Sequence, residues 1–293
     1  MKKFTRREII IIGSHLAVGA AIGASYLSLN GCSAENENIT ALPPEAMEPA
    51  DVKDLKLTVV YDNNNYKSGL KLDWGFACLV EGLDHTILFD TGRYDTYLMH
   101  NMNALGVDSA QIDDIVLSHE HEDHTGGLYT LMDSKNVKNV CVVNSVNIVR
   151  RRNLADYGAI LTEIDSPVMI SKSVLSTGAM RRVLISEQGL IILTNRGVIV
   201  IVGCAHPGIV KMVERANSIT NSSVLLVLGG FHLLNSSPSD IEEIIEKLHK
   251  FGVKYVAPTH CTGEEARRIF AAGYGNYYLD CGVGRVITAE DLA

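Results

Sequence analysis

Apolar and polar residues alternate over Leu55–Tyr61, and the run breaks at Asp62-Asn63-Asn64-Asn65, which predicts a strand ending in a polar turn. Phe76–Val80 and Thr86–Phe89 read as a strand pair around Glu81-Gly82, closed by Asp90-Thr91-Gly92. Thr96–Leu105 has helical character and stops at Gly106. Ile112–Ser118 is a buried strand that runs straight into a cluster of histidines, after which Gly126-Gly127-Leu128 opens another helix. Further strands are predicted at Val140–Val143, Leu190–Thr194, Val198–Val202 and Val224–Leu228. A helix over Ser239–Phe251, with Pro238 near its start, early carboxylates, late lysines and Gly252 beyond, precedes a last strand at Val253–Ala257. No internal repeat recurs at a fixed period. Periodicity alone therefore specifies one α/β or α+β domain.

The first 54 residues follow a different pattern. Lys2, Lys3, Arg6 and Arg7 precede an apolar stretch, Ile9–Leu29, and Leu29-Asn30-Gly31-Cys32 follows. Thr5-Arg6-Arg7-Glu8-Ile9-Ile10 resembles a twin-arginine export signal, and Leu29–Cys32 resembles a lipoprotein processing site with Cys32 as the lipidated residue. The alternative is an uncleaved anchor helix, for which the stretch is long enough. Both imply an exported protein tethered to a membrane, either on the outer face of the cytoplasmic membrane or in the periplasm. Residues 33–54, polar and carrying Pro43, Pro44 and Pro49, read as a flexible linker. The globular domain then spans 55–293.

Charge narrows the partners. The 293-residue chain carries −8 overall; residues 1–31 carry +3, so the remainder carries −11. An acidic body argues against nucleic acid as a partner, because phosphate neutralisation needs Lys and Arg. Arg150-Arg151-Arg152 and Arg181-Arg182 are local exceptions; such runs are ordinarily solvated, although a basic pocket at either stays open. Apart from Cys32, the five cysteines Cys78, Cys141, Cys204, Cys261 and Cys281 are odd in number and irregularly spaced, which is no disulfide framework.

The chemistry concentrates at His119-Glu120-His121-Glu122-Asp123-His124. Imidazole and carboxylate donors suit zinc and neighbouring divalent metals. His119 and His121, two apart in an extended turn, can share one ion, while Asp123 and His124 face a second. His15, His85, His100 and His249 are isolated along the chain and read as signal, surface or packing residues.

This segment resembles the His-x-His-x-Asp-His signature of the metallo-β-lactamase superfamily. Tyr61-Asp62-Asn63, Trp74-Gly75-Phe76, Leu88-Phe89-Asp90-Thr91-Gly92, Thr177-Gly178, Gly203-Cys204-Ala205-His206-Pro207-Gly208, Gly229-Gly230-Phe231-His232-Leu233 and Thr259-His260-Cys261-Thr262-Gly263 follow in an order that resembles the dihydropterin–ribofuranosylaminobenzene phosphate synthase-like subfamily. The resemblance implies an α+β fold, the αββα four-layer sandwich. It implies His206 and His260 as further metal ligands beside His119, His121, Asp123 and His124, with Asp90 holding the histidine loop by hydrogen bonds. Neither strand end supplies the aspartate that bridges two metals in many relatives. Cys204 or His232 takes that place, and order along the chain favours His232.

The implied activity is metal-dependent hydrolysis of a small (phospho)ester or lactone, with one or two zinc ions, or iron or manganese. Asp123 would hold an ion and orient the attacking water, and His232 would stabilise developing charge or protonate a leaving group. The alternatives are a true β-lactamase and a noncatalytic surface lipoprotein that holds a ligand through its metals. No Gly-rich nucleotide loop or Gly-x-Ser-x-Gly elbow offers a competing chemistry.

Overall fold

The computed structural model describes residues 48–133, 137–143 and 157–293. The export segment 1–32, the first part of the linker and Arg150-Arg151-Arg152 lie outside the described residues. In chain order the main elements are β1 (Lys56–Asp62), β2 (Phe76–Glu81), β3 (Ile87–Phe89), α1 (Asp95–Ala104), β4 (Asp114–Val116), α2 (Glu122–Thr125), α3 (Leu128–Met132), β5 (Asn139–Val143), β6 (Ile160–Ile164), β7 (Val168–Ser171) and β8 (Val174–Ser176). Then come β9 (Met180–Arg182), β10 (Ile185–Glu187), β11 (Leu190–Thr194), β12 (Gly197–Val202), α4 (Ile209–Thr220), β13 (Val224–Gly230), α5 (Pro238–Lys250), β14 (Tyr255–Thr259), α6 (Glu264–Tyr274) and β15 (Val286–Ile287).

Two sheets stack face to face. The first has the order β15-β1-β2-β3-β4-β5-β6 and the second β14-β13-β12-β11-β8-β7. Alternation along each strand decides which layer a side chain enters. In β11, Leu190 and Ile192 point between the sheets, where they meet Val59, Phe76, Phe89 and Val116 of the first sheet in one cluster. Ile191 and Leu193 point outward under α4, α5 and α6, among Met212, Val213, Ile241, Leu248 and Phe270. The outer face of the first sheet packs Leu88, Ile115 and Val140 against Leu98 and Met102 of α1 and Leu131 of α3. The layers are helix, sheet, sheet, helix, so the fold is the α+β sandwich.

Each sheet has a parallel portion, and these portions set the site. β3, β4 and β5 run parallel in the first sheet, and β12, β13 and β14 run parallel in the second. The loops leaving the carboxyl ends of these strands carry Asp90, His119, Cys204, His206, His232 and His260.

The domain boundary needs a correction. Residues 48–54, expected as linker, belong to the domain. The Ala50 backbone N–H donates to the Leu193 carbonyl at 2.9 Å, and Val52 is buried in the inter-sheet core at 1% exposure. A single buried valine in a polar stretch has no periodicity to announce it. Among the described residues no helix is long and apolar enough to cross a membrane.

Candidate metal centre

β4 delivers Ser118 and His119 into the space between the sheets, and the chain then turns so that His121 precedes the single turn of α2, which holds Asp123 and His124. From the second sheet, the loop after β12 brings Cys204 and His206, the end of β13 brings His232, and the end of β14 brings His260. Ligand-capable atoms of His119, His121 and His206 lie within 4.8 Å of one another, and so do those of Asp123, His124, Cys204 and His260. We call these the imidazole half and the acidic half. Cys204, His206 and His232 form a third, overlapping group.

In the imidazole half, His119 Nε2 is 2.9 Å from His121 Nδ1, and the His206 ring centroid lies 4.6 Å from that of His119 and 5.0 Å from that of His121. In the acidic half, Asp123 Oδ2 is 3.5 Å from both His124 Nε2 and His260 Nε2. Cys204 Sγ is 3.2 Å from His124 Nε2 and 3.3 Å from His260 Nε2.

The outer nitrogens of four imidazoles are held from behind. His119 Nδ1 is 2.8 Å from Ser118 Oγ, His124 Nδ1 is 2.7 Å from Asp90 Oδ2, His206 Nδ1 is 2.8 Å from Glu187 Oε2, and His260 Nδ1 is 2.9 Å from Asn63 Oδ1. Such partners fix ring orientation and tautomer, so that Nε2 faces the centre with its lone pair free. That arrangement fits a metal. Without one, bare imidazole and carboxylate groups face one another in a buried space, which is costly.

Asp90 is the hub of the first sheet's side. Its Oδ1 accepts the Ser118 backbone N–H at 2.7 Å, and its Oδ2 accepts the Ser118 hydroxyl at 2.8 Å besides meeting His124. Burial is the largest influence on this carboxyl and raises its pKa above the ordinary range, against the opposing pull of His124. Burial works against ionised Asp123 too, but the His124 and His260 imidazoles outweigh it and hold that carboxyl well below the usual range. Burial likewise opposes a charge on His124, yet Asp90 and Asp123 prevail and push it up to about 10. Burial and the neighbouring His124 push His119 well below its ordinary value, and burial and His206 lower His121.

Sequence reasoning missed Glu187 and Gln188. Glu187 is fully buried; Oε1 accepts the N–H groups of Cys204 and Ala205 at 2.9 and 2.8 Å, and Oε2 accepts that of His206 at 2.8 Å. Burial works against its charge, but the hydrogen bond from the His206 imidazole, the nearby His119 and His206 rings and the His206 N–H outweigh it and hold its carboxyl below the usual range. Gln188 ties the same strand end to the other sheet, donating from Nε2 to the Leu117 carbonyl at 2.8 Å. A polar pair one glycine before the strand Leu190–Thr194 was the available signal. Thr177, quoted above only as part of a motif, accepts the Gly189 N–H at 2.8 Å and steadies this corner.

The loops are strained and tightly fitted. Of the six non-glycine residues with positive φ among the described residues, Asp90, Ala205, His232 and His260 belong to these loops; each such residue costs about 1–3 kcal/mol and persists only where its surroundings over-determine it. Gly203 is glycine for space. A Cβ there would sit 2.1 Å from Ser118 Oγ and 3.0 Å from Asp90 Oδ2, so a side chain would pry the two sheets' loops apart.

Cys204 lies deeper in the centre than His232, the residue that chain order favoured for the bridging place, although His232 also groups with Cys204 and His206. Cys204 is buried between His124 and His260, whereas His232 is exposed at the rim, its ring 4.7 Å from that of His206. The reason is local: Cys204 directly follows the strand end that Gly203 seats against Ser118. Trp74 adds a wall, its ring 4.9 Å from that of His260. His85, His100 and His249 are engaged elsewhere, with Asp114, the Gly69 carbonyl and the Tyr274 ring.

A family model described as the metallo-β-lactamase superfamily matches residues 75–161, the stretch that contains the histidine cluster. That stretch and the fold are those of the metallo-β-lactamase superfamily. It is 28% identical over 290 residues to a 7,8-dihydropterin-6-methyl-4-(β-D-ribofuranosyl)-aminobenzene-5′-phosphate synthase of Methanocaldococcus jannaschii, covering 82% of this chain and 99% of the relative. A solved metal-dependent hydrolase of the β-lactamase superfamily is 28% identical, with a TM-score of 0.65 over 80% of this chain and 98% of that one. The metallo-β-lactamase fold protein YhfI from Bacillus subtilis, at 13% identity, a TM-score of 0.57 and coverage of 80% and 98%, shares the fold.

Proposed function

We propose that this chain is a metal-dependent hydrolase acting on a small phosphoester, ester or lactone. One observation carries the reading: two adjoining donor groups, drawn from both sheets, share a buried centre in which four imidazoles are clamped from behind. Nitrogen, oxygen and sulfur donors in this mixture suit zinc, with iron or manganese as alternatives. A divalent ion held there supplies Lewis acidity, lowering the pKa of water and polarising a carbonyl or phosphoryl oxygen.

The protein's own groups do the rest. Asp123, between His124 and His260, supplies fixed negative charge on the side where a water's proton is drawn off. Cys204 would add a sulfur donor to the acidic half; its contact with Cys261 and burial push the thiol well up, so a bound metal would have to displace its proton. His232, at the rim, is placed to hold or deliver a proton at the leaving group. Trp74 shields the mouth beside His260. Residues 1–32 support export and a membrane tether, so the substrate is an extracytoplasmic small molecule.

The test is metal analysis joined to a panel of phosphoester, ester, lactone and chromogenic lactam substrates. Turnover of an ester class with bound metal, lost in His121→Ala, is expected; full turnover by His121→Ala sinks the scheme. A second reading has its own support: the methanogen relative is named a synthase and spans nearly the same length. Metal retained with no hydrolysis across the panel favours that group-transfer reading, or a noncatalytic binding role.

A further inference from the structure

A pocket of about 430 Å³ opens beside the centre, within the ordinary size range of small-molecule sites, about 300–1,000 Å³. His232 lines both this pocket and the smaller cavity in front of Trp74, so the two share a wall at the rim of the imidazole half. Its polar lining has one sign. Arg182, Lys211 and Lys247 border it and no Asp or Glu does, in a chain with 34 acidic and 26 basic residues. Lys211 has no ion-pair partner among the described residues. Arg182 spends one guanidinium nitrogen on the His206 carbonyl at 3.0 Å and keeps its other N–H groups. Lys247 pairs with Glu243 at 2.6 Å, an exposed i,i+4 contact that contributes little and exchanges readily.

The backbone points the same way. α4 begins at Gly208, which offers no side-chain cap, and its first turn carries no acidic residue. Gly208 through Lys211 all line the pocket, so the start of a twelve-residue helix, whose first-turn N–H groups lack intrahelical partners, borders it beside the three cations. Phe231 contributes an apolar surface for the body of an organic molecule.

Resting on the reading that the histidine cluster is the reacting centre, we propose that this pocket seats a phosphate or carboxylate borne by the substrate at the end remote from its reacting bond. The substrate class is then a small anion with two functional ends: a hydrolysable group at the metal ligands and an anionic tail beyond His232. The sequence run Arg181-Arg182 thereby divides, Arg182 entering the pocket lining that Arg181 does not join.

Two readouts test this. The metal-loaded protein is titrated calorimetrically with inorganic phosphate and, separately, with succinate, for the wild type, Lys211→Glu and Lys211→Gln at equal metal content. The proposal expects Lys211→Glu to weaken one of these anions at least about tenfold, as the reversal of one partly screened charge near an anion allows, with Lys211→Gln intermediate. Whichever anion responds names the tail. Equal affinities in all three proteins overturn the proposal, since the ion then sits on the metals or nowhere specific. In parallel, the kcat/KM ratio of mono-para-nitrophenyl succinate over para-nitrophenyl butyrate should exceed one and fall in Lys211→Glu. If neither ester turns over, the hydrolase reading fails while the titration still decides the pocket; if both turn over with an unchanged ratio and unchanged anion affinity, the pocket fails and the hydrolase reading stands.

Discussion

The two halves of the centre sit at different depths and carry different charge. The imidazole half, His119, His121 and His206, holds only neutral-capable donors; His121 is partly exposed, and no outer partner is seen for its ring among the described residues. The acidic half brings together Asp123 and the Cys204 thiol with two imidazoles that are almost wholly buried, each backed by Asp90 or Asn63. Fixed negative charge in a dry space holds a cation tightly, while three imidazoles near water hold it less tightly and leave it open to substrate. On the proposed function, the difference gives retention to one half and access to the other.

The comparison can be broken at its open side first. His121→Ala should bring turnover to background and release metal from the imidazole half while the acidic half keeps its ion, as measured by elemental analysis; loss of all metal would show that the halves are not separable. Next is the backing of the acidic half. Asp90→Ala leaves His124 without its buried partner, and breaking a pair of this kind costs about 3–5 kcal/mol; weakened metal binding of about 10–100-fold should accompany it. Thermal unfolding and chelator competition read the two effects. Cys204→Ala should lower the metal retained under chelation by about tenfold or more, taking the effect of an outer partner as a floor, and Cys204→Asp should restore it if the slot needs only an anion.

The smallest effect belongs to neither half. His85 meets the buried Asp114 carboxylate, and this hydrogen bond, opposed by some burial, raises the imidazole pKa. A raised folded-state value contributes stability that is complete below about pH 6.5, the ordinary histidine value, and is lost as pH rises through the folded one. The contribution is under about 1 kcal/mol for a partly exposed pair. His85→Gln should flatten the stability profile between pH 6 and 8; a profile unchanged by it assigns that slope to the centre instead.

Local pattern announced much of the scaffold. β1, β2, α1, β11, β12, β13 and α5 fall within a few residues of expectation, because each is a clean alternation or a helix with marked ends. β6 to β10 and the amphipathic helices α4 and α6 went unannounced. The strands are short, and three of them are only partly buried, so their alternation is weak. α4 starts at an uncapped glycine with no boundary signal.

The same division runs through the site. His119, His121, Asp123 and His124 are legible because a single turn gathers them within six residues, and a chain can write that density only in one place. His206 and His260 came through the resemblance, since nothing local links residues so far apart along the chain. Tertiary structure alone decided that Cys204 is buried beside His124 and His260 while His232 stays at the rim, that Glu187 and Gln188 tie the sheets together behind them, and that Arg182 faces a pocket while its neighbour does not. Which residue types are present is a property of the chain. Which atoms converge depends on two sheets stacking with Gly203 against Ser118, and no single segment carries that information.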